Sequence, residues 1–320
     1  MSPANADLAM IPRRVTRAER IAEDIHLFEL RDPAGGDLPG FSAGAHVSLR
    51  VPNGMIRKYS LCNDPAERDR YVIAVKREAP GRGGSESLIR DVAEGSEVPV
   101  SAPANNFALA KSGAGYLFIA GGIGITPIMA MIRHLTATGG RFKLYYCTRT
   151  PAATAFRDEL LAPELRGKVT IHHDHGDLAQ ALDVWPIVEK PQGHLYCCGP
   201  RGLMQAVRDM TGHWSPSAVH FEAFTEAAEQ KPDDRPFMVR LARSGDRVEV
   251  PVGITILEAL RAHGLDVPSS CESGTCGTCR TRLIAGEADH RDLVLGDDER
   301  AANIMVCVSR ARSDEIVIDR

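Results

Sequence analysis

The stretch "SSCESGTCGTCRTRL", from Ser269 to Leu283, crowds three cysteines with the spacing C-x4-C-x2-C. A fourth cysteine follows later, in the apolar segment "IMVCVSRA". This is the spacing of plant-type [2Fe–2S] sites, in which four thiolates bind two irons. We therefore predict a [2Fe–2S] cluster. Its ligands would be Cys271, Cys276, Cys279 and Cys307.

The glycines of the stretch fit the same interpretation. Gly274 and Gly277 permit backbone conformations that let loop N–H groups turn toward sulfur. Zinc is the competing metal, but it usually takes paired C-x2-C knuckles or mixed Cys/His ligands, and only one C-x2-C occurs in the stretch. Buried, incidental cysteines are the other alternative. The remaining four cysteines lie in strand-like segments, and the plain-core interpretation suits three of them, Cys62, Cys147 and Cys197.

Length and composition describe an ordinary globular chain. Its 320 residues suggest two or three domains, and 43% hydrophobic and 25% charged residues allow each a core. A net charge of −4 argues against nucleic-acid binding. No signal peptide or membrane-length apolar run is visible, so we expect a soluble, cytoplasmic protein. Clustered cysteines there indicate metal or redox chemistry rather than disulfides.

The chain divides into three domains and a linker. Residues 1–110 carry alternating apolar segments such as "IHLFEL" and "YVIAVKRE", which predict an antiparallel β-barrel. Residues 111–226 alternate strands and helices, which predicts an α/β domain with a parallel sheet. The polar, proline-containing residues 227–236 are interpreted as a linker. Residues 237–320 begin with a hairpin and a helix and contain the cysteine stretch.

A glycine turn joins the first strand and helix of the α/β domain. "LFIAGGIGITPIMAMI" places Gly121, Gly122 and Gly124 before helical N–H groups, which attract anions such as a pyrophosphate. Many parallel-sheet turns need glycine, so the motif alone is weak. "LYCCGPRGLM" places Cys198–Pro200 at the end of a later strand, and both motifs should share the rim where α/β sheets bind ligands.

Two segments of the barrel indicate a phosphate-bearing, flat cofactor. "RKYSLCNDP" offers an arginine for a phosphate, an aromatic ring and a serine for a polar edge. "GRGGSES" offers a second anion site before an apparent helix. The alternatives are a solvated arginine, a half-buried tyrosine and a flexible loop. Their coincidence with the glycine turn and the cysteines favours the cofactor.

Together these motifs resemble the ferredoxin–NADP reductase superfamily fused to a plant-type ferredoxin, and more narrowly the phthalate dioxygenase reductase family with its vanillate O-demethylase reductase relatives. The motifs are "RKYSL", "YVIAVKRE", "GRGGS", "AGGIGITP", "YCCGP", "HFEAF" and "CESGTCGTC". The resemblance covers nearly the whole chain. It implies a flavin barrel, a nicotinamide-binding α/β domain and a β-grasp ferredoxin domain, in that order.

The resemblance also implies site residues. The flavin, FMN in this family, would be bound by Arg57, Lys58, Tyr59, Ser60, Ala74, Val75, Lys76, Arg82, Gly83, Gly84, Ser85, Thr126 and Phe224. NADH would be bound by Gly121, Gly122, Gly124, Cys198, Gly199 and Pro200. Thr126, Cys198 and Ser60 would align the two rings for hydride transfer rather than move protons.

Two positions depart from the family pattern. Lys58 stands where a small polar residue is expected, and adds a cation beside the flavin phosphate. Thr150 stands where relatives often carry an aspartate that favours NAD and repels the NADP phosphate. With Arg149 adjacent, the choice between NADH and NADPH stays open, although NADH leads.

The implied function is the reductase component of a two-component Rieske-type aromatic oxygenase, of the phthalate dioxygenase or O-demethylase type. Electrons would pass from NADH through FMN to the cluster and then to the oxygenase. The alternatives are a stand-alone oxidoreductase acting on a small molecule and a ferredoxin-like carrier. We expect a monomer without nucleic-acid or membrane partners.

Overall fold

The structure, a computed structural model, describes residues 9–78, 83–224, 231, 233–269 and 271–320. The chain forms two compact units, one of Leu8–Glu222 and one that contains Ala223–Arg320.

The first part of the larger unit is an antiparallel β-barrel. Its strands follow the order β4-β3-β6-β1-β2-β5, and the Cys62 N–H closes the barrel by donating to the Val72 carbonyl over 2.9 Å. One helix, α1 (Gly84–Asp91), precedes the last strand. The strands are β1 (Ile11–Ala22), β2 (Ile25–Arg31), β3 (His46–Arg50), β4 (Ile56–Ser60), β5 (Tyr71–Lys76) and β6 (Glu97–Val100). The predicted barrel is confirmed, because alternating apolar residues such as Val47 and Leu49 fill its interior.

The second part of the larger unit is a five-stranded parallel sheet in the order β11-β10-β7-β8-β9. The strands are β7 (Tyr116–Gly121), β8 (Phe142–Thr148), β9 (Val169–His173), β10 (His194–Cys198) and β11 (Val219–Glu222). The helices are α2 (Ile125–Thr138), α3 (Arg157–Leu160), α4 (Trp185–Val188) and α5 (Arg201–Met210). This confirms the predicted α/β architecture. The carboxyl ends of the parallel strands form one rim, where such folds bind ligands.

A shared apolar core joins the barrel to the parallel sheet. Ile25, Leu27 and Ala74 on the barrel belong to the same buried cluster as Ile128 and Met131 of α2. The guanidinium of Arg133, also on α2, donates to the barrel carbonyl of Cys62. Burial of this many apolar side chains favours one fixed arrangement of the two parts.

The C-terminal unit is a mixed sheet with one main helix. Its five-stranded sheet has the order β13-β12-β18-β14-β16, and β15 pairs with β17. The strands are β12 (Phe237–Leu241), β13 (Arg247–Val250), β14 (Arg280–Ala285), β15 (Ala288–Asp289), β16 (Asn303–Met305), β17 (Arg310–Ala311) and β18 (Glu315–Ile318). The helices are α6 (Ile256–Ala262) and α7 (Asp297–Arg300). A hairpin, a packed helix and the parallel pairing of β12 with β18 give the predicted β-grasp fold.

The main helix of this unit starts at a capping box. The Glu258 N–H donates to the Thr255 hydroxyl over 3.0 Å, and the Thr255 N–H donates back to the Glu258 carboxylate over 2.9 Å. These bonds satisfy two N–H groups that a helix start leaves without partners. Within the described ranges, no helix combines the length and apolarity that crossing a bilayer requires.

A buried ionic cluster ties the end of the predicted linker to the C-terminal unit. The guanidinium of Arg291 contacts the carboxylates of Asp234 and Asp289, the latter over 2.7 Å, and the Lys231 ammonium reaches Asp289 over 3.0 Å. The Arg310 guanidinium lies 5.0 Å from the centre of the Phe237 ring. Buried charges are tolerated when paired in this way.

Candidate functional site

The four predicted cluster ligands lie in the C-terminal unit as two pairs of neighbouring thiols. Cys271 contacts Cys276, and Cys279 contacts Cys307. In the described ranges no group of three or more His, Cys, Asp or Glu side chains is placed to hold one metal ion. Two pairs match the demand of a [2Fe–2S] cluster, because each of its two irons takes two protein ligands. The donor set therefore fits this cluster better than a single zinc ion.

Backbone N–H groups surround the first cysteine of the loop. The N–H groups of Ser273 and Thr275 each point at the Cys271 sulfur over 3.4 Å. The Cys276 thiol beside it and these hydroxyl-bearing neighbours lower the pKa of Cys271 to about 4. The Cys307 thiol likewise lowers the pKa of Cys279. The same contacts raise the pKa of the partner thiols Cys276 and Cys307, so one sulfur of each pair is favoured as the thiolate, the form that binds iron.

Positive φ angles shape this loop. Gly274 has φ +74° and Gly277 has φ +81°, and a Cβ on Gly274 would lie 2.7 Å from the Val308 side chain. Glycine is therefore required at 274 for two reasons, the backbone conformation and the packing. Glu272 also has a positive φ, and its carboxylate accepts from the Arg261 guanidinium over 3.0 Å.

The two glycine-containing turns of the α/β domain, one after β7 and one after β10, lie in close contact at the carboxyl ends of the strands. A Cβ on Gly124 would lie 2.3 Å from the Cys198 carbonyl oxygen, and one on Gly121 would lie 2.5 Å from Pro200. A Cβ on Gly199 would lie 2.8 Å from the Gly121 Cα. The structure brings the two predicted nucleotide-binding motifs together, as expected for neighbouring strands β7 and β10. Glycine is required here for packing, independently of any ligand.

Gly122 differs from its neighbours. It has φ +52°, and a Cβ there would meet nothing within 4 Å. Its backbone therefore borders open space at the carboxyl edge of β7. Of the three glycines in this turn, Gly122 is the one with open space at its Cβ position, and its contact with a pyrophosphate stays a prediction.

Two predicted alignment residues are buried near these turns. Thr126, 2% exposed at the start of α2, donates its hydroxyl to the Ile123 carbonyl over 3.0 Å and keeps lone pairs free to accept. Cys198 is fully buried, and burial raises the pKa of its thiol well above the usual range, with the Glu222 carboxylate adding to the effect. Cys198 is therefore a neutral thiol whose side chain is not exposed to a ligand, and its place beside the nicotinamide stays a prediction.

On the barrel, the predicted phosphate residues converge. Arg57 on β4 lies against the start of α1, since a Cβ on Gly84 would be 2.7 Å from the Arg57 Nε. Gly83 precedes the helix with φ +76°, and the Ser85 hydroxyl accepts from the Glu78 N–H over 3.1 Å. The arginine and the positive end of the helix thus point to one place, which suits a phosphate. Arg82 lies outside the described residues.

Ser60, at the end of β4, is the predicted contact to the flavin ring. It is 4% exposed, and its hydroxyl oxygen has no hydrogen-bond partner among the described residues. A buried hydroxyl without a partner is costly, so it indicates a missing ligand. Tyr59 is half-buried and Lys58 is exposed.

The four remaining residues that were predicted to bind the flavin differ in their exposure. Val75 is buried within the barrel core, and Ala74 is buried against the α/β part, so their side chains are not exposed to a ligand. Lys76 is exposed and its ammonium lies 3.5 Å from the Glu78 carboxylate. Phe224, 39% exposed, belongs to the C-terminal unit. The flavin roles of these four residues stay predictions.

Sequence reasoning missed an acidic residue at the rim. Asp174 directly follows β9, and its N–H donates to the Thr148 carbonyl at the end of β8 over 3.2 Å. The next residue, His175, donates its N–H to the Arg149 carbonyl over 3.0 Å. Its carboxylate accepts from the Gly176 N–H over 2.8 Å, so Asp174 places an acidic side chain in the turn that follows β9, beside the end of β8. Only the parallel pairing of β8 with β9 reveals it.

Comparison with known proteins agrees with this architecture. Residues 12–109 match the family described as an oxidoreductase FAD-binding domain, residues 118–209 an oxidoreductase NAD-binding domain, and residues 239–312 a 2Fe-2S iron-sulfur cluster binding domain. A chain that combines these three domains is an oxidoreductase that binds a flavin, NAD and a [2Fe–2S] cluster.

Full-length relatives narrow the class. The chain is 56% identical over 309 residues to the phthalate 4,5-dioxygenase oxygenase reductase subunit of Pseudomonas putida, with 96% of this chain and 95% of the relative covered. The solved structure of a phthalate dioxygenase reductase matches with a TM-score of 0.77 and 54% identity, and both chains are covered completely. The chain therefore belongs to the phthalate dioxygenase reductase family.

More distant relatives have varied names. A vanillate O-demethylase oxidoreductase from Pseudomonas sp. is 39% identical, with 97% of this chain and all of the relative covered. A tetrachlorobenzoquinone reductase from Sphingobium chlorophenolicum is 40% identical, with 98% of each chain covered. The family's modules thus occur in proteins whose names describe different acceptors.

Proposed function

We propose that this chain is the NADH-dependent reductase component of a two-component Rieske-type aromatic oxygenase, of the phthalate dioxygenase or O-demethylase type. The carrying observation is the presence of flavin, NAD and [2Fe–2S] domains in one chain, along a length that matches a phthalate 4,5-dioxygenase reductase subunit at 56% identity. A bound flavin supplies hydride acceptance, and a [2Fe–2S] cluster supplies single-electron transfer. The partner oxygenase would be the electron acceptor.

The flavin we propose is FMN. Arg57 and the N-terminal end of α1 would hold its phosphate, and the unpartnered Ser60 hydroxyl would bind the polar edge of its ring. Thr126 would border both ring systems. FMN carries a single phosphate, so binding it requires only this one anion site on the barrel. Acid extraction of the purified protein followed by chromatography against FMN and FAD standards tests this choice.

For the nicotinamide cofactor, we propose NADH over NADPH. The Gly122 backbone borders the open rim, and Asp174 adds a negative charge at the ends of β8 and β9. A carboxylate there would accept from ribose hydroxyls and repel a phosphate at the same position. The aligning roles of Cys198 and Thr126 belong to the same proposal.

The proposal has three further parts. The domain boundaries are 1–110, 111–226 and 237–320, with the linker at 227–236, and the chain works as a cytoplasmic monomer. Light scattering during size-exclusion chromatography tests the monomer. A molar mass near twice that of one chain would refute it.

The function is tested by electron delivery. The purified chain is titrated anaerobically with NADH, and its flavin and cluster absorption should both bleach. It is then mixed with purified oxygenase components that carry Rieske centres, whose reduction is followed by their own absorption. Bleaching without transfer to any oxygenase would reject the partner but keep the oxidoreductase.

A second function is favoured by one relative. The tetrachlorobenzoquinone reductase at 40% identity bears a name that describes reduction of a small molecule. Under this alternative the chain reduces quinones without a partner protein. Turnover of a benzoquinone that is faster than reduction of any oxygenase would favour it.

A further inference from the structure

Arg133 on α2 joins the α/β part of the larger unit to the barrel. Its guanidinium donates to the backbone carbonyl of Cys62, a residue 71 positions earlier in the chain. Cys62 is fully buried, so its carbonyl needs a hydrogen-bond partner from within the protein. This bond therefore connects the two parts of the unit through a polar contact of fixed direction.

Two further contacts hold the Arg133 guanidinium in place. Its Nε atom donates to the Glu159 carboxylate on α3 over 2.7 Å, and its central carbon lies 5.5 Å from the centre of the Phe156 ring. The Arg133 side chain is only 23% exposed. A planar guanidinium that contacts a carboxylate, a carbonyl and an aromatic ring has little freedom to turn. Arg133 is thus a fixed bridge rather than a solvated charge.

The barrel end of this bridge lies two residues after Ser60, the proposed contact to the flavin. The Leu61 N–H donates to the Ala45 carbonyl over 2.8 Å, and the Cys62 N–H donates to the Val72 carbonyl over 2.9 Å. The segment is therefore bonded to the barrel on two sides. A force on the Cys62 carbonyl is transmitted to Ser60 through only two peptide units.

The helix end of the bridge lies on the same face of α2 as Thr126, the proposed contact to both rings. Seven residues separate Thr126 from Arg133, which is nearly two helical turns. The helix is continuous over Ile125–Thr138, and Thr126 is 2% exposed. The position of Arg133 therefore sets the position of Thr126.

We propose that Arg133 is a positioning residue for hydride transfer, because it fixes the separation between the strand end that carries Ser60 and the helix that carries Thr126. This inference rests on the proposed function, in which these residues border the flavin and the nicotinamide. The transferred hydride carries two electrons and one proton from NADH to the flavin, and the rate of such a step depends steeply on how closely the reactants are held. Arg133 acts on the rate through this separation rather than by contact with the reacting atoms.

The test uses full-length protein loaded with FMN. Flavin reduction is followed by anaerobic stopped-flow absorption over a range of NADH concentrations, which separates the limiting rate from the NADH dissociation constant. We expect Arg133→Leu to lower the limiting rate about tenfold, and to change the dissociation constants of FMN and NADH less than the rate. NADH deuterated at the transferred position verifies that the measured step is hydride transfer. Partial unfolding would lower the amplitude of bleaching rather than its rate.

Arg68→Leu is the matched control. The Arg68 guanidinium also donates to a backbone carbonyl, that of the buried Leu38, over 3.0 Å, but both residues belong to the barrel. Its loss should leave the limiting rate unchanged, even where it lowers the unfolding temperature. An unchanged limiting rate in Arg133→Leu, or an equal loss in both variants, would overturn the proposal.

A double-mutant cycle tests whether the bridge works as one unit. Glu159→Gln removes the charge that orients the guanidinium, and should slow flavin reduction less than Arg133→Leu does. The variant Arg133→Leu/Glu159→Gln should be no slower than Arg133→Leu alone, and additive losses would count against the bridge. If Arg133→Leu does not fold, Arg133→Lys decides the matter, since it keeps the charge and lacks the planar fork. A wild-type limiting rate in folded Arg133→Lys would reject the role.

The readouts distinguish this inference from the proposed function. Wild-type protein whose flavin is not reduced by NADH would remove the proposed oxidoreductase itself. Wild-type protein that is reduced by NADH but reduces no oxygenase would refute the partner, and leave the limiting rates of the Arg133 variants interpretable. Failure of the positioning role alone would leave NADH oxidation and oxygenase reduction by the wild-type chain intact.

Discussion

The cysteine loop of the C-terminal unit and the glycine rim of the α/β domain are both built from glycines between strands, yet the glycines do different things. In the loop, Gly274 and Gly277 adopt positive φ angles so that the chain can curve around the sulfurs. At the rim, Gly121 and Gly124 are needed because a second turn lies within van der Waals contact.

This difference shows how specifically each motif predicts a chemical function. Four cysteines with the C-x4-C-x2-C…C spacing have few uses other than metal binding, so the loop motif is specific evidence for a metal site. The rim glycines would be required by packing even in a domain without a nucleotide. Their sequence is therefore weaker evidence, and the proposed rim chemistry depends on features such as Gly122 and Asp174.

The largest effect is expected from replacing one of the predicted cluster ligands in the cysteine loop. Cys276→Ser removes one thiolate from the pair with Cys271, so we expect loss of the [2Fe–2S] absorption while the flavin still bleaches with NADH. Visible spectra before and after anaerobic NADH addition measure both. Cys147→Ser, outside the loop, is the control and should keep the cluster. An intact cluster in Cys276→Ser would remove that residue from the ligand set.

The next largest effect is expected from a substitution at the rim of the α/β domain, which leaves the cysteine loop unchanged. Gly124→Ala places a Cβ 2.3 Å from the Cys198 carbonyl oxygen, which must separate the two turns. We expect flavin reduction by NADH to slow about a hundredfold, since small displacements of bound reactants have effects of this size. Stopped-flow absorption measures the rate. Gly202→Ala, whose Cβ would meet nothing within 4 Å, should leave it unchanged. Equal rates in both variants would show that the turns can separate at no cost.

A smaller effect tests glycine within the loop. Gly274→Ala combines a φ of +74° with a contact 2.7 Å from the Val308 side chain. We expect the unit to lose about 1–3 kcal/mol and the cluster to bleach at a lower temperature. Thermal bleaching of the cluster absorption measures this. Gly36→Ala in the barrel, with open space at its Cβ, should not change it. An unshifted bleaching temperature would mean that the loop tolerates the strain.

The smallest effect is expected from removing the negative charge of Asp174 at the rim of the α/β domain. Asp174→Asn keeps the shape of the side chain and removes its charge, so NADPH should lose one source of repulsion. We expect the preference for NADH, as a ratio of kcat/KM values, to fall about tenfold. Steady-state cytochrome c reduction with each nucleotide measures it. Asp177→Asn, in the same exposed segment, should leave the ratio unchanged. An unchanged ratio in Asp174→Asn would place the discrimination elsewhere.

The amino-acid sequence by itself determined the order of the domains and the fold class of each, and it predicted the four cysteines that would bind the cluster. Alternating and helical periodicity are local signals, and cysteine spacing is a local signal with a specific chemistry. The family resemblance, carried by seven short motifs, extended this to flavin and NAD binding.

Only the tertiary structure decided which residues meet. The pairing of Cys279 with Cys307, and the shared core of the barrel and the α/β part, join positions far apart in the chain. The position of Asp174 beside the end of β8 became visible through strand pairing alone. The physical reason is that register and packing are fixed by contacts between segments, which no local pattern contains.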